Sequence, residues 1–157
     1  MTTALWEQLL AEERELQFDR FSLDDAWQLG SRLRSDAAAQ GLPVAIGVWL
    51  AGQRAFATGL PGSSAENDLW LERKLRVTLL FGRASLAVGE KFRLEGHDFD
   101  ADARLDPREY AAHGGVVPIR IRDSAVIGAV GVSGLEQHRD HALVVGHLRA
   151  YLTEQGR

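Results

Sequence analysis

Histidine offers the widest chemistry in this sequence, because a neutral imidazole can ligate a transition metal or act as a general base. The chain has five histidines, and His113 is the most interesting of them. It precedes Gly114 and Gly115, where the lack of side chains lets the backbone approach a bound molecule closely. The alternative is a structural histidine that bonds a neighbouring loop carbonyl, since buried polar groups are usually satisfied in this way.

The remaining histidines and the acidic residues do not form a metal motif. His138 and His141 are three residues apart and share a face of a predicted helix, but they lack the glutamate and the spacing of a zinc motif. Asp98, Asp100 and Asp102 alternate along a loop, yet the glycine and the terminal glutamate of a calcium loop are misplaced. We therefore predict no metal-ion site.

Basic residues concentrate between Glu72 and Arg93. This segment holds six basic residues and two acids, whereas the whole chain has a net charge of −4. A local basic patch can receive a carboxylate, for which arginine is suited through its bidentate geometry. Two alternatives remain open: a solvated helix face with an i,i+4 pair from Glu72 to Arg76, or complementarity with an acidic face of another subunit.

Ser133 and Trp70 are the other candidate contact residues. Ser133 lies in Gly131-Val132-Ser133-Gly134, which is not a nucleophile elbow because Leu135 replaces the second glycine. We interpret Ser133 as a cap or as a hydrogen-bonding contact to a ligand. Trp70 follows a capping loop, and we predict that it lines a pocket or an oligomer interface, where tryptophan is enriched.

Composition favours one soluble globular domain over residues 1–157, with 45% hydrophobic and 25% charged residues. The absence of cysteine excludes disulfides, thiolate metal sites and cysteine nucleophiles. A net charge of −4 argues against nucleic-acid binding, which needs a basic field. Acids near the N-terminus and the lack of a long apolar run predict a cytoplasmic protein that does not enter a membrane.

Apolar periodicity predicts an α+β fold with two β-hairpins. Helices are expected over 4–16, 22–41, 69–81, 84–94 and 137–152, with a short helix from Asp106 and a loop over 95–102; strands are expected over 43–50, 53–60, 116–122 and 125–133. Two hairpins with helices segregated from them imply an antiparallel sheet of four or five strands. Gly128, Ala129 and Gly131 leave room on the last strand for a helix or a ligand.

Several short pieces carry a family resemblance that covers almost the whole chain. They are Leu60-Pro61-Gly62, Asn67-Asp68 with Trp70, Arg73-Lys74, Tyr110 to Gly115, Pro118-Ile119, Val132 to Leu135, and Asp140-His141 with Leu143. Together and in this order they resemble the haem-degrading domain family typified by HbpS and GlcG, and within it an uncharacterised branch also found in fungi. Arg76 and Ala84 depart from the pattern, because an asparagine and a serine are expected there.

The resemblance implies a profilin-like antiparallel sheet, frequent assembly into a symmetric homo-oligomer, and haem or a small organic carboxylate as ligand. It implies no established reaction, since fold does not fix function. The hypothesis that results is an oligomeric ligand-binding domain. Its ligand-binding residues are Trp70, Arg73, Lys74, His113, Gly114, Gly115 and Ser133.

Two other hypotheses stay open at this point. The first is an assembly module without a small ligand, which presents a repeated surface to another protein. The second is an enzyme in which His113 is the catalytic general base.

Overall fold

The computed structural model describes residues 3–156, which form six helices and five strands. These are α1 (Ala4–Glu15), β1 (Gln17–Phe18), α2 (Leu23–Ala39), β2 (Ala45–Leu50), β3 (Gln53–Gly59), α3 (Ala65–Phe81), α4 (Ser85–Leu94), α5 (Phe99–Asp102), β4 (Val116–Ile121), β5 (Val126–Ser133) and α6 (Gln137–Glu154). The domain predicted over 1–157 includes residues 1, 2 and 157, which lie outside the described residues. Within 3–156, no helix has both the length and the apolar character needed to cross a membrane.

The five strands form one sheet in the order β1-β4-β5-β2-β3. The hairpins β2–β3 and β4–β5 are both antiparallel, and they join through the antiparallel pair of β2 with β5. β1 pairs with β4 in parallel. The predicted α+β class and its two hairpins are therefore confirmed. β1 was not predicted, because residues 17–21 were interpreted only as a break between two helices.

Helices cover both faces of the sheet. On one face α2 and α6 bury Leu29, Leu33 and Leu148 completely against the strands. Burial of each such side chain contributes about 1.5–3 kcal/mol. On the other face α3 packs Leu71 against a smaller cluster that includes Trp49. A Cβ atom added to Gly131 would lie 3.0 Å from Leu71 Cδ2, so the room predicted beside Gly131 is filled by a helix.

Along the edge of β4 that faces away from β5, each residue whose backbone points outward is paired or has no N–H group. The Val116 N–H donates to Ser85 Oγ at 3.2 Å. Pro118 has no N–H to leave unpaired. Arg120 stands opposite Gln17 in the parallel pair with β1, and the Arg122 N–H beyond the strand donates to the Phe18 carbonyl at 2.8 Å.

Three local predictions were wrong. α3 begins at Ala65 and not at Leu69, because Ser64 forms a capping box in which Asn67 Oδ1 accepts the Ser64 N–H at 2.9 Å. The loop predicted over 95–102 contains α5, which Asp98 caps. The other element bounds differ from the prediction by at most two residues.

The third wrong prediction is the short helix from Asp106, where the structure has a turn. Arg73 Nη2 donates to the Pro107 carbonyl at 2.7 Å, and Arg76 Nη1 donates to the Glu109 carbonyl at 3.1 Å. The Ala111 N–H donates to the Arg73 carbonyl at 3.2 Å and not to the Pro107 carbonyl, so the turn does not continue as a helix.

Candidate functional site

A cleft of about 270 Å³ lies at the corner where α3, the segment before β4, the end of β5 and the start of α6 meet. Its lining is polar and includes residues from all four elements. They are Glu66, Asn67, Trp70, Lys74, His113, Gly114, Ser133, Gly134, Leu135, Gln137 and Asp140.

Five of the seven predicted ligand-binding residues line this cleft: Trp70, Lys74, His113, Gly114 and Ser133. Ser133 is buried, and its hydroxyl makes no hydrogen bond with any described residue, so it faces the cleft as a free polar group. Arg73 and Gly115 lie just outside it. The sequence pattern therefore predicted most of the residues that meet at this corner. The role of these residues as ligand contacts stays a prediction.

Lys74 forms the floor of the cleft and is only 2% exposed. Its ammonium donates to the Gly114 carbonyl at 2.9 Å and to the Val132 carbonyl at 3.0 Å, and it lies 3.4 Å from Asp140 Oδ2. An ammonium has three protons, so these partners use all of them. Lys74 thus joins the segments around the cleft and offers no free proton to a ligand.

Asp140 completes this buried ion pair. Its carboxylate also accepts the Leu135 N–H at 2.9 Å and the Gly134 N–H at 3.3 Å. Burial raises the pKa of Asp140, against the opposing effect of Lys74 and these N–H groups. Burial lowers the pKa of Lys74, with Asp140 opposing it. A buried pair of this kind is costly to break, because the remaining charge has no water to solvate it.

The paired glycines serve the packing of the protein itself. Gly115 has φ +138°, and a Cβ atom there would lie 2.4 Å from both Lys74 Nζ and the Val132 carbonyl oxygen. A Cβ atom on Gly114 would lie 2.4 Å from the Gln137 carbonyl oxygen. The space expected beside Gly115 for a ligand is therefore occupied by the ammonium of Lys74.

His113 forms the rim of the cleft. Its ring packs edge-on against Trp70, with the ring centroids 5.4 Å apart, and the residue remains exposed. Arg73 stacks on Trp70 with 4.4 Å between the guanidinium carbon and the ring centroid. Burial of part of the ring, together with the cations Lys74 and Arg73, lowers the pKa of His113 against an opposing effect of Asp100. The imidazole is therefore neutral at pH 7.

The partners of the histidines separate His113 from the other four. Each of those four has a carboxylate within 3.6 Å of a ring nitrogen, whereas His113 makes no hydrogen bond with any residue in the range 3–156. The pairs are His97 with Asp102, His138 with Glu136, His141 with Glu12, and His147 with Asp36. The structural role considered for His113, a bond to a loop carbonyl, is not what the structure shows.

Two further clefts touch His113 from the side of α4. One has a volume of about 370 Å³ and the other about 210 Å³. His113 thus lies on a ridge between the cleft of the paired glycines and the two clefts beside α4. Sequence patterns did not predict these, because they form between residues far apart in the chain.

The basic segment does not form a single patch. Arg83 pairs with Glu13 at 3.2 Å, Lys91 approaches Glu95 at 4.0 Å, and Arg93 binds Glu90 at 2.6 Å. Arg76, one of the departures from the family pattern, holds the Glu109 carbonyl. Ala84, the other departure, precedes α4 without a side-chain cap.

A family model described as "Haem degrading protein HbpS-like" matches residues 21–149. The chain belongs to this family, and the resemblance inferred from its motifs is confirmed. α1 and β1 precede the matched region.

Similar proteins cover nearly the whole chain. A UPF0303 protein of Streptomyces coelicolor is 48% identical over 147 residues, which are 94% of this chain and 93% of the relative. The crystal structure of the Ybr137w protein superposes with a TM-score of 0.89 at 31% identity, covering 99% of this chain and 92% of that one. The structure of a PduOC–haem complex has a TM-score of 0.67 at 19% identity over 83% and 94% of the two chains, a likeness of fold alone.

Proposed function

We propose that this protein binds haem and that His113 would hold the iron. The observation that carries the proposal is the state of this imidazole. It is exposed, neutral at pH 7 and free of hydrogen bonds within residues 3–156, whereas the other four histidines are held by carboxylates. A neutral imidazole nitrogen is the form that ligates haem iron.

The charges that line the 270 Å³ cleft, on the side of His113 where the paired glycines lie, argue against a small free carboxylate as the ligand there. Glu66 and Asp140 both line it, and the only lysine among its lining residues, Lys74, has its protons engaged by protein oxygens. An anion entering this cleft would meet carboxylates without a free cation. Coordination of a metal centre by His113 does not need such a cation, so on this side of His113 the geometry favours ligation by the imidazole over capture of a small free acid.

The family relationship supports the same ligand. The chain belongs to the HbpS-like family, and a structural neighbour was solved as a haem complex. Bound haem supplies a redox-active iron. This chain supplies the imidazole, the Trp70 ring packed against it, and the Lys74–Asp140 pair that fixes the adjoining backbone.

A haem titration followed by absorbance tests the proposal. Wild type and His147→Ala are expected to shift the Soret band, because His147 Nε2 is already paired with Asp36 at 2.8 Å and lines none of the three clefts that touch His113. His113→Ala is expected to lose the ligation spectrum and to bind haem about tenfold more weakly or worse, which corresponds to about 1.4 kcal/mol. An unshifted Soret band in wild type, or equal spectra in wild type and His113→Ala, would overturn it.

The proposal includes a homo-oligomer, since several large apolar side chains are exposed on the outer faces of α2 and α3. Trp27 is 62% exposed, Leu69 61% and Leu80 57%. On α3, Leu80 lies between Leu79 and Phe81, which are also exposed, and neighbouring exposed apolar groups are typical of interaction surfaces. Light scattering at micromolar concentration tests this part, and a monomer would contradict it. An oligomer that binds no haem would instead support the assembly module.

The finer architectural predictions belong to the same proposal: a single domain, a profilin-like sheet and a cytoplasmic location. Limited proteolysis that leaves one resistant core supports the single domain. Cell fractionation tests the location.

A further inference from the structure

We infer that the 370 Å³ cleft beside α4 is the tetrapyrrole site, and that Arg93 binds a carboxylate of the ligand there. This inference rests on the proposed function, because it takes His113 as the ligand of the iron. It goes further by choosing one side of His113, by naming the group that recognises the acid, and by predicting which porphyrins the site distinguishes.

The first step is the relation between His113 and Arg93. Both residues line both clefts on the α4 side, together with Gly89 and Ala112. A Cβ atom on Gly89 would lie 2.3 Å from the Ala112 carbonyl oxygen, so glycine allows α4 to pack directly on the segment that carries His113. Arg93 follows Gly89 by four residues and so lies on the same helix face, about 6 Å further along the axis.

The second step is the state of the Arg93 guanidinium. Its Nε and Nη2 donate to the two carboxylate oxygens of Glu90 at 2.6 and 3.0 Å. Glu90 is only 6% exposed, so it holds the guanidinium in one orientation. Guanidinium has five N–H donors, and those on Nη1 have no partner within residues 3–156. The free edge is oriented in advance for a second carboxylate.

The third step is the chemical character of the residues that line the 370 Å³ cleft. Leu5, Leu86 and Ala112 contribute apolar surface to its lining, and Arg93, Gln137 and His138 contribute polar groups. Glu90 is the one acid in its lining, and Arg93 neutralises it. The smaller cleft, in contrast, is lined by Asp98 and Asp100. An apolar macrocycle with acidic substituents therefore matches the larger cleft and not the smaller one.

The test compares two probes: haem, and the haem dimethyl ester in which both propionates are blocked, in the same detergent-containing buffer. Arg93→Gln is expected to weaken haem binding about tenfold, or 1.4 kcal/mol. It should leave the affinity for the ester and the Soret position unchanged, because His113 still ligates the iron. Arg108→Gln is the matched control, since Arg108 also forms a bidentate pair, with Asp106, but lies off these clefts.

Removal of Arg93 leaves the buried Glu90 without its cation, so a second variant controls for damage to the fold. Glu90→Gln combined with Arg93→Gln has no unpaired buried charge and should show the same loss for haem alone. Equal haem affinity in wild type and both Arg93 variants, or equal loss for haem and ester, would overturn the Arg93 site while leaving His113 ligation intact. No Soret shift in wild type would overturn the proposed function and the Arg93 site with it.

Discussion

His113 and His141 lie at two corners of the molecule. The two corners differ in the groups that other elements place around the imidazole. His113 lies between open clefts and has no hydrogen-bond partner among the described residues. His141 is 3% exposed, bonds Glu12 of α1 at 2.8 Å and borders a cavity of only about 20 Å³. His141 therefore offers no nitrogen that a ligand can reach, because Glu12 occupies Nε2 and Nδ1 is buried, whereas the His113 ring is exposed. Local sequence does not decide this, since His141 follows an aspartate and still pairs with a glutamate on a distant helix.

The largest expected effect comes from the ion pair that lies beneath the open corner. Lys74→Met is expected to lower the free energy of unfolding by about 3–5 kcal/mol, because Asp140 is left buried without its cation. Lys91→Met, which removes an exposed cation 4.0 Å from Glu95, should change it by less than about 0.5 kcal/mol. Urea denaturation of both variants measures the contrast. Equal losses would show that Lys74 is not the support of the cleft.

A smaller loss is expected for Gly115→Ala. Its φ of +138° strains any other residue, and the new Cβ would meet Lys74 Nζ and the Val132 carbonyl oxygen at 2.4 Å. We expect a loss of about 2–3 kcal/mol in urea denaturation. Gly146→Ala in α6 is the control, because nothing lies within 4 Å of its Cβ position. That change should stabilise the helix by about 0.5–1 kcal/mol, and a common sign for the two variants would contradict the packing described here.

The buried pair of His141 and Glu12 predicts that the free energy of unfolding depends on pH. Burial alone would raise the pKa of Glu12, but hydrogen bonds from His141 and Gln8 outweigh it and lower the pKa below its usual 4.5. A carboxylate with a lowered folded-state pKa contributes stability above pH 4.5 and loses it as the pH falls through the folded value.

Glu12→Gln is accordingly expected to cost roughly 1–3 kcal/mol at pH 7, and less as the pH drops below 4.5. Denaturation curves at several pH values measure this convergence. Glu7→Gln, an exposed residue on the same helix, should follow wild type throughout. A cost that stays constant down to pH 3 would be inconsistent with the His141–Glu12 pair as its source.

The smallest effect on stability is expected at His113, the residue proposed to hold the haem iron. His113→Ala removes an exposed ring whose contact is the edge-on packing with Trp70, so we expect a loss below about 1 kcal/mol. His141→Ala should cost clearly more, since it empties a buried site and leaves Glu12 with Gln8 as its remaining hydrogen-bond partner. Thermal melting of the two variants gives the comparison. A larger loss at His113 would make it a structural residue.

Sequence patterns predicted the hairpins and the long helices because these depend on local periodicity. They missed β1 because a two-residue parallel strand has no periodicity, and they placed a helix at Asp106 because the effect of Arg73 and Arg76 on the turn is tertiary. The burial of Lys74 is predictable from its position on α3. Lys74 occupies the same helical stripe as Leu71 and Thr78, and both of those are buried in α3.

The sealed side of β4 has a consequence for how copies of this chain can meet. On that border Ser85, Pro118 and the two-residue β1 take up the edge of β4, whereas the opposite border is the seven-residue β3, which has no strand beyond it in the described sheet. The longer strand edge that could receive another strand therefore lies on one side of the sheet. Two copies that paired through β3 would each use this edge once, which favours a closed pair over a continuous ribbon.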